Sequence, residues 1–208
     1  MLLERDVTLT SGNASVLFGA RDASNVFMWS VNTLDNEKEP LIRRHIYDRG
    51  RLQSSDTPIG KFFTKSDLLN KEHHLAIEAK DGVVKTYIDK VLVDTYTDTD
   101  SKLSNGYIGF RAFRGNNTNE TAMFDNIVLT EYEQKGDKEE AKVVLKEDFE
   151  KPQSAFEGGE IVSVGGNRKL NMVSGSGDYR VLQVDMSGVP MFRKEFKAKK
   201  KIASARIY

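Results

Sequence analysis

The chain of 208 residues balances 31 Lys+Arg against 31 Asp+Glu, so no global field favours nucleic acid or an anionic membrane surface as a partner. It contains no cysteine, which excludes disulfides, thiolate metal sites and a thiol nucleophile. Hydrophobic residues make up 38% and charged residues 30%, the balance of a globular domain; the length suits one large β-sandwich or a sandwich with a smaller piece, and no apolar run approaches the roughly 20 residues that a helix needs to span a bilayer.

In chain order, Val7 to Leu9 and Ser15 to Ala20 read as strands about a Ser11-Gly12-Asn13 turn, with Val16, Phe18 and Ala20 on one face and Leu17, Gly19 and Arg21 on the other. Arg21 to Asn25 is a turn cluster. Val26 to Asn32 follows as a strand on which Phe27, Trp29 and Val31 oppose Val26, Met28 and Ser30. Leu41 to Tyr47 alternates Ile42, Arg44 and Ile46 against Leu41, Arg43, His45 and Tyr47, and closes at Asp48-Arg49-Gly50. A polar loop to Gly60, a short strand at Lys61-Phe62-Phe63 and one helical turn over Ser66 to Leu69, capped by Ser66, complete this stretch.

From His73 to Tyr132 the pattern is a ladder of short antiparallel strands. Leu75, Ile77 and Ala79 share one face, and Asp81-Gly82 is the dipeptide best suited to a two-residue hairpin. Val83 to Ile88 returns, reverses at Asp89-Lys90 and continues as Val91 to Tyr96; Asn105-Gly106 then launches Tyr107 to Phe113, and Ala122 to Leu129 follows a second polar loop. At Asp89-Lys90 a non-glycine would sit at positive φ in a type I′ turn, so a different turn or a bulge is expected. Residues 134–142 carry alternating charge and read as a solvated linker, with a short exposed helix as the alternative. Beyond them, paired glycines space out short strands at Glu160 to Val164, Leu170 to Val173 and Tyr179 to Val184.

"HHLAIEAKDGVVKTYIDKVLVDTYTD", "SNGYIGFRAF" and "MFDNIVL" together resemble the second half of laminin-G/concanavalin-A-like jelly rolls, especially those attached to bacterial polysaccharide-degrading enzymes, and the hairpin around Arg21-Asp22 resembles the corresponding unit of that family. The resemblance covers roughly Val7 to Tyr132. A second one lies in "SGVPMFRKEFKAKKKIASARIY", Ser187 to Tyr208, which is similar to the start of the N-terminal β-domain of bacterial α-L-rhamnosidases. Together they imply an all-β chain: a jelly-roll sandwich over 1–133, a linker over 134–142 and a truncated β-rich segment over 143–208. They also imply a piece cut from a longer secreted glycosidase, periplasmic or extracellular, whose catalytic domain would follow in the parent chain.

A glycosidase built on such a sandwich needs two carboxyl groups about 5–10 Å apart. The laminarinase-type "ExDxxE" is absent from the sequence. Glu147, Asp148 and Glu150 form the nearest acidic cluster, but adjacent Glu147 and Asp148 point to opposite faces of a strand; so do His73 and His74, while His45 is isolated. Asp94, Asp98 and Asp100 offer oxygens to a structural Ca²⁺ or line a solvated turn. No cofactor is implied. The expected partner is an oligo- or polysaccharide, for which aromatic faces and planar polar groups are needed. Candidates are Arg21, Trp29, Arg43, Tyr47, Tyr107, Arg111 and Phe113: Arg43 shares a strand face with Tyr47, and Arg111 with Tyr107 and Phe113. Trp29 serves the core equally well, between Phe27 and Val31. Arg111, opposite Ile108 and Phe110, is expected to project from an open sheet, so that Arg111→Ala changes stability by less than about 1 kcal/mol. A glycosidase or lyase on the sandwich itself, and a protein-interaction module, are the alternative functions.

Overall fold

The protein's structure, a computed structural model, describes residues 1–10, 12–22, 25–34, 37–99, 106–113, 121–135, 137–150, 160–164, 167–173 and 182–185. Its strands are β1 (Leu2–Leu9), β2 (Asn13–Asp22), β3 (Asn25–Asn32), β4 (Leu41–Asp48), β5 (Arg51–Pro58), β6 (Glu72–Lys80) and β7 (Val83–Ile88). They continue as β8 (Val91–Thr97), β9 (Tyr107–Phe113), β10 (Thr121–Lys135), β11 (Lys138–Glu147), β12 (Glu160–Val164), β13 (Asn167–Val173) and β14 (Leu182–Asp185), with one helical turn, α1 (Lys65–Leu68). These form a jelly-roll β-sandwich. One sheet runs β12-β13-β10-β1-β6-β7-β8, with β11 also paired to β10; the other runs β14-β9-β2-β3-β4-β5. The pairings in both sheets are antiparallel.

Period-two alternation delivers one face of each sheet to a shared core. Leu3, Val7 and Leu9 of β1, Leu75 and Ile77 of β6, and Val84 and Ile88 of β7 meet Val16, Phe18, Phe27, Trp29, Ile42, Ile46, Ile108 and Phe110 from the other sheet. Each fully buried Leu, Ile, Val or Phe contributes about 1.5–3 kcal/mol of burial free energy. The Leu75/Ile77/Ala79 face and the Ile108/Phe110 pair are where the sequence pattern puts them.

Several elements differ from expectation, each for a local reason. Gly19, at φ 58, sits in a bulge of β2, which shifts Ala20 onto the face of Leu17 instead of that of Val16 and Phe18. Residues 51–58 form a strand where a polar loop is expected, because β5 is an exposed edge strand with no apolar alternation to reveal it. Lys61-Phe62-Phe63 is a turn, and α1 is capped by Thr64, not Ser66: the Thr64 hydroxyl accepts from the Asp67 N–H while the Asp67 carboxylate accepts from the Thr64 N–H. Where the linker is expected, β10 continues to Lys135 and β11 begins at Lys138, and the two pair with Glu133 opposite Glu140 and Lys135 opposite Lys138. The segment beyond it supplies sheet edges: β13 pairs with β10, and β14 pairs with β9. The stretch Ser187 to Tyr208 lies outside the described residues.

Asp89 and Lys90 both adopt positive φ, 49° and 69°, so the hairpin keeps the two left-handed residues of a type I′ turn without a glycine. Asp89 holds it in place: its carboxylate accepts from the His74 N–H at 2.9 Å and meets His73 Nδ1 at 2.7 Å. The irregularity expected there falls between Thr86 and Tyr87 instead.

The core contains an arginine without a carboxylate partner among the described residues. Arg5 is completely buried on the inner face of β1, its guanidinium 5.3 Å from the Phe110 ring centroid, and Nε, Nη1 and Nη2 make no hydrogen bond. Burial disfavours its charged form and lowers its pKa. A cation–π contact at about 2 kcal/mol recovers only part of what desolvating a guanidinium costs. Arg5→Met, similar in length and apolar, is therefore expected to raise stability by about 1–4 kcal/mol. Urea unfolding checks this, and a lower midpoint for the variant would show that the charge supports the fold.

Candidate functional site

Directly opposed residues of antiparallel strands point to the same side of a sheet. The registers therefore set Asp56, Arg43, Ser30, Ser15 and Arg111 in one row across β5, β4, β3, β2 and β9 on the outer face of the second sheet. The adjacent row is Ser54, His45, Met28, Leu17 and Gly109. Leu52, Tyr47 and Val26 begin the third, whose far end has Ala20 opposite Tyr107 beyond the Gly19 bulge. Along β4, the side chains of Arg43, His45 and Tyr47 span about 13 Å, at about 3.3 Å per residue.

Small residues at the centre let a long side chain lie flat. Ser15 Oγ and Ser30 Oγ are 2.7 Å apart and both residues are buried. Over them Arg111 reaches from β9 across β2, placing Nη1 3.1 Å from Met28 Sδ on β3. Two interstrand spacings are about 10 Å, a gap an extended arginine covers when the residue between is as short as serine. Leu17, Ala20, Val26 and Met28 form an apolar floor on this outer face, and Tyr47 packs against it.

Among the described side chains of these rows, the accessible ones form the β4–β5 strip. Arg43 Nε and Nη2 donate to Asp56 Oδ1 and Oδ2, each at 2.9 Å, and Nη2 also donates to Glu37 Oε1 at 2.8 Å. The Asp56 fork raises the Arg43 pKa further and holds the Asp56 carboxyl below the usual carboxylate range, so both remain ionised. His45 is pushed the other way, down to about 4, first by burial and then by the charges of Arg111 and Arg43, against the opposing pull of Asp56. At neutral pH its ring is uncharged and can both donate and accept a hydrogen bond. The strip thus offers an ionised fork, a neutral imidazole and a tyrosine at successive two-residue steps.

Of the residues singled out from the sequence, Arg43 and Tyr47 share this face, and the row pairing brings Arg111 to it from β9. Tyr107 and Phe113 lie on the same face by register, but their side chains fall outside the described residues. Arg21 is exposed, one position past Ala20 on β2. Trp29 is not a surface platform: it is 2% exposed, its ring centroid 4.9 Å from that of Phe18, 5.8 Å from Phe27 and 5.5 Å from Tyr96. Arg111 does not project into solvent either; at 5% exposure it is held down on the serine and methionine floor. His45 was legible as a neighbour of Arg43 and Tyr47 by alternation, yet nothing in the sequence pointed to Arg111 as its electrostatic partner. Glu37 and Asp56 lacked a signal, since one sits in a loop and the other in the unrecognised β5.

The other polar groups have structural roles. Asp94 is buried between the sheets, where Oδ1 accepts from Thr57 Oγ1 at 2.8 Å and lies 3.6 Å from Arg44 Nη1. The Asp98 N–H donates to the Gly82 carbonyl, and Asp100 lies outside the described residues. Among the described residues no group of three or more His, Asp or Glu is arranged to hold a metal ion. His73 is engaged by Asp89 and the Asp67 carbonyl, and His74 by Asp6 and Glu4. Glu147, Asp148 and Glu150 accept backbone N–H groups of Phe149, Glu150 and Arg168.

No protein-family model matches the chain, and no curated protein matches it significantly. Among solved structures, it is similar to the carbohydrate-binding module CBM66 from Bacillus subtilis, over 61% of this chain and 71% of that one, at 25% identity and a TM-score of 0.45. It is also similar to the galectin LEC-6 of Caenorhabditis elegans, over 47% and 64% of the respective chains, at 12% identity and a TM-score of 0.36.

Two outcomes follow from the geometry. Arg111→Ala is expected to cost about 2 kcal/mol or more in urea unfolding, as for other truncations at buried positions; a cost under about 0.5 kcal/mol would return Arg111 to the surface. His45, whose folded pKa lies below its unfolded value of 6.5, contributes stability that is fully present above pH 6.5 and is lost as pH falls toward 4. Allowing for the solvent screening of a partly exposed ring, that loss is about 1–2 kcal/mol. His45→Gln should remove this component from the pH profile of chemical denaturation, and an unchanged slope between pH 6.5 and 4 would refute the assignment.

Proposed function

We propose that the chain is a non-catalytic carbohydrate-binding module whose ligand lies against the outer face of the β9-β2-β3-β4-β5 sheet. The observation that carries this reading is the β4–β5 strip, where a bidentate Arg43–Asp56 pair, a neutral His45 and Tyr47 present fixed donors, acceptors and an aromatic face side by side. Pre-set planar groups of this kind suit vicinal hydroxyls, and an aromatic ring suits the apolar side of a sugar. A few neutral hydrogen bonds at about 1 kcal/mol each make for weak binding per sugar.

The parent protein, on this proposal, is a secreted glycoside hydrolase of the α-L-rhamnosidase kind, working in the periplasm or outside the cell with its catalytic domain C-terminal to this region. Its support is the "PMFRKEF" and "SARIY" strand pattern between Pro190 and Tyr208. A reading frame that continues past Tyr208 into an α/α barrel would bear this out, and one that continues into an unrelated domain would remove it.

Calorimetric titration with rhamnose-containing oligosaccharides tests the module itself. Binding in the micromolar to millimolar range is expected, weakened at least about tenfold by Tyr47→Ala and less by Tyr47→Phe, which keeps the ring. Absence of heat at millimolar sugar would leave a scaffolding role in place of a binding one for these ligands. Turnover of aryl glycosides by the isolated chain would favour an enzyme on the sandwich.

A further inference from the structure

Among the described side chains of the outer-face rows, the accessible ones lie on β4 and β5. Ser15, Ser30, Met28, Leu17 and Arg111 are all 5% exposed or less, whereas on β4 and β5 Arg43, His45 and Tyr47 are partly exposed and Leu52, Ser54 and Asp56 are exposed. The strip is graded along its length. At one end Leu52, 44% exposed, stands opposite Tyr47 as an apolar pair; Ser54 opposite His45 follows as an uncharged polar pair; Asp56 opposite Arg43 closes it as an ion pair. Three successive pairs at about 6.6 Å intervals make a track longer than one sugar ring.

The charges at the ionic end are already spent on each other. Arg43 is shared between Asp56 and Glu37, and the nearby Lys65 ammonium donates to the carbonyls of Leu34 and Glu37. One guanidinium therefore faces two carboxylates, and the carboxylates are themselves partly exposed at the rim. Arg111, on the same face, is buried over β2 and β3 with Nη1 against Met28 Sδ, away from β5. A carboxylate or sulfate on a ligand would meet Asp56 and Glu37 and would have to displace one of them from Arg43, which already gives its fork to Asp56 and a further N–H to Glu37, a repulsive arrangement that itself selects against anions.

We infer that the β4–β5 strip takes a short, uncharged oligosaccharide laid along β4, with a ring against Tyr47 and Leu52 and hydroxyls on the Arg43–Asp56 pair, and that it rejects uronate-bearing and sulfated chains. This rests on the carbohydrate-binding reading above and narrows it. A glycan array holding neutral oligosaccharides of one to five sugars beside their uronate-bearing and sulfated counterparts separates the two. The expected result is signal confined to neutral chains of two or more sugars, changed less than about twofold between 0.1 M and 1 M salt. Leu52→Asp should reduce that signal at least tenfold, and Asp56→Asn, which frees part of Arg43, should admit uronate-bearing chains. Stronger signal from anionic chains, or from single sugars alone, would overturn the inference and leave carbohydrate binding standing; no signal from any glycan would take both down.

Discussion

Each of the pairings that join β5, β4, β3, β2 and β9 must hold its register for Arg43, His45 and Arg111 to emerge on one face, because a slip of one residue exchanges the two faces of a strand. The interior enforces this. Phe27, Trp29 and Val31 of β3 alternate with Met28 and Ser30, so any slip that moved Met28 inward would also drive Trp29 out of its contacts with Phe18 and Tyr96. The aromatic core therefore fixes the outer face without touching it. Gly19 is the permitted exception, a bulge that re-aims Ala20 toward the outer floor after Phe18 has reached the core.

The two sheets treat their outer faces differently. On the first, Glu4, Asp6, His74 and Glu78 alternate with core residues in the ordinary manner of a half-solvated antiparallel sheet. On the second, Leu17, Val26 and Met28 give that face an apolar floor as well, and Arg111 lies over it. Polar groups in turn enter the interior. Arg44 stands on the inner face of β4 with its guanidinium 5.5 Å from the Tyr96 ring centroid, and Asp94 links it to Thr57 of β5 across the open edge of the sandwich. A buried pair of this kind gives little net stability, but it can specify one arrangement of the sheets over others.

The parts of this arrangement legible in the sequence were those with strong alternation or unambiguous turn chemistry. Leu75/Ile77/Ala79, Ile108/Phe110 and the Asp81-Gly82 hairpin needed no tertiary information. β5 was opaque because Arg51 to Pro58 contains one apolar residue besides its proline, and edge strands can be polar on both sides. The hairpin at 133–140 was opaque for a similar reason: Glu133, Glu140, Lys135 and Lys138 look solvated, and they are, but as an exposed two-stranded ribbon. Arg111 was misjudged by the rule that places arginine at the surface, which depends on what lies beside it; Ser15 and Ser30, distant in sequence, supply the trough.

The character of β5 has two causes that reinforce each other. An edge strand with free N–H and C=O groups invites pairing with another chain, and charges and proline blunt that tendency. Arg51, Asp56 and Pro58 supply them here. The same polarity, on the side that follows Arg43, His45 and Tyr47, turns the edge pair into a graded surface at which hydroxyl groups can compete for ordered donors and acceptors without dislodging any core contact. Positioning and protection are thus met by one set of residues on one hairpin, whose inner partner β4 is anchored by Ile42 and Ile46 and whose outer strand is tied to Asp94 through Thr57.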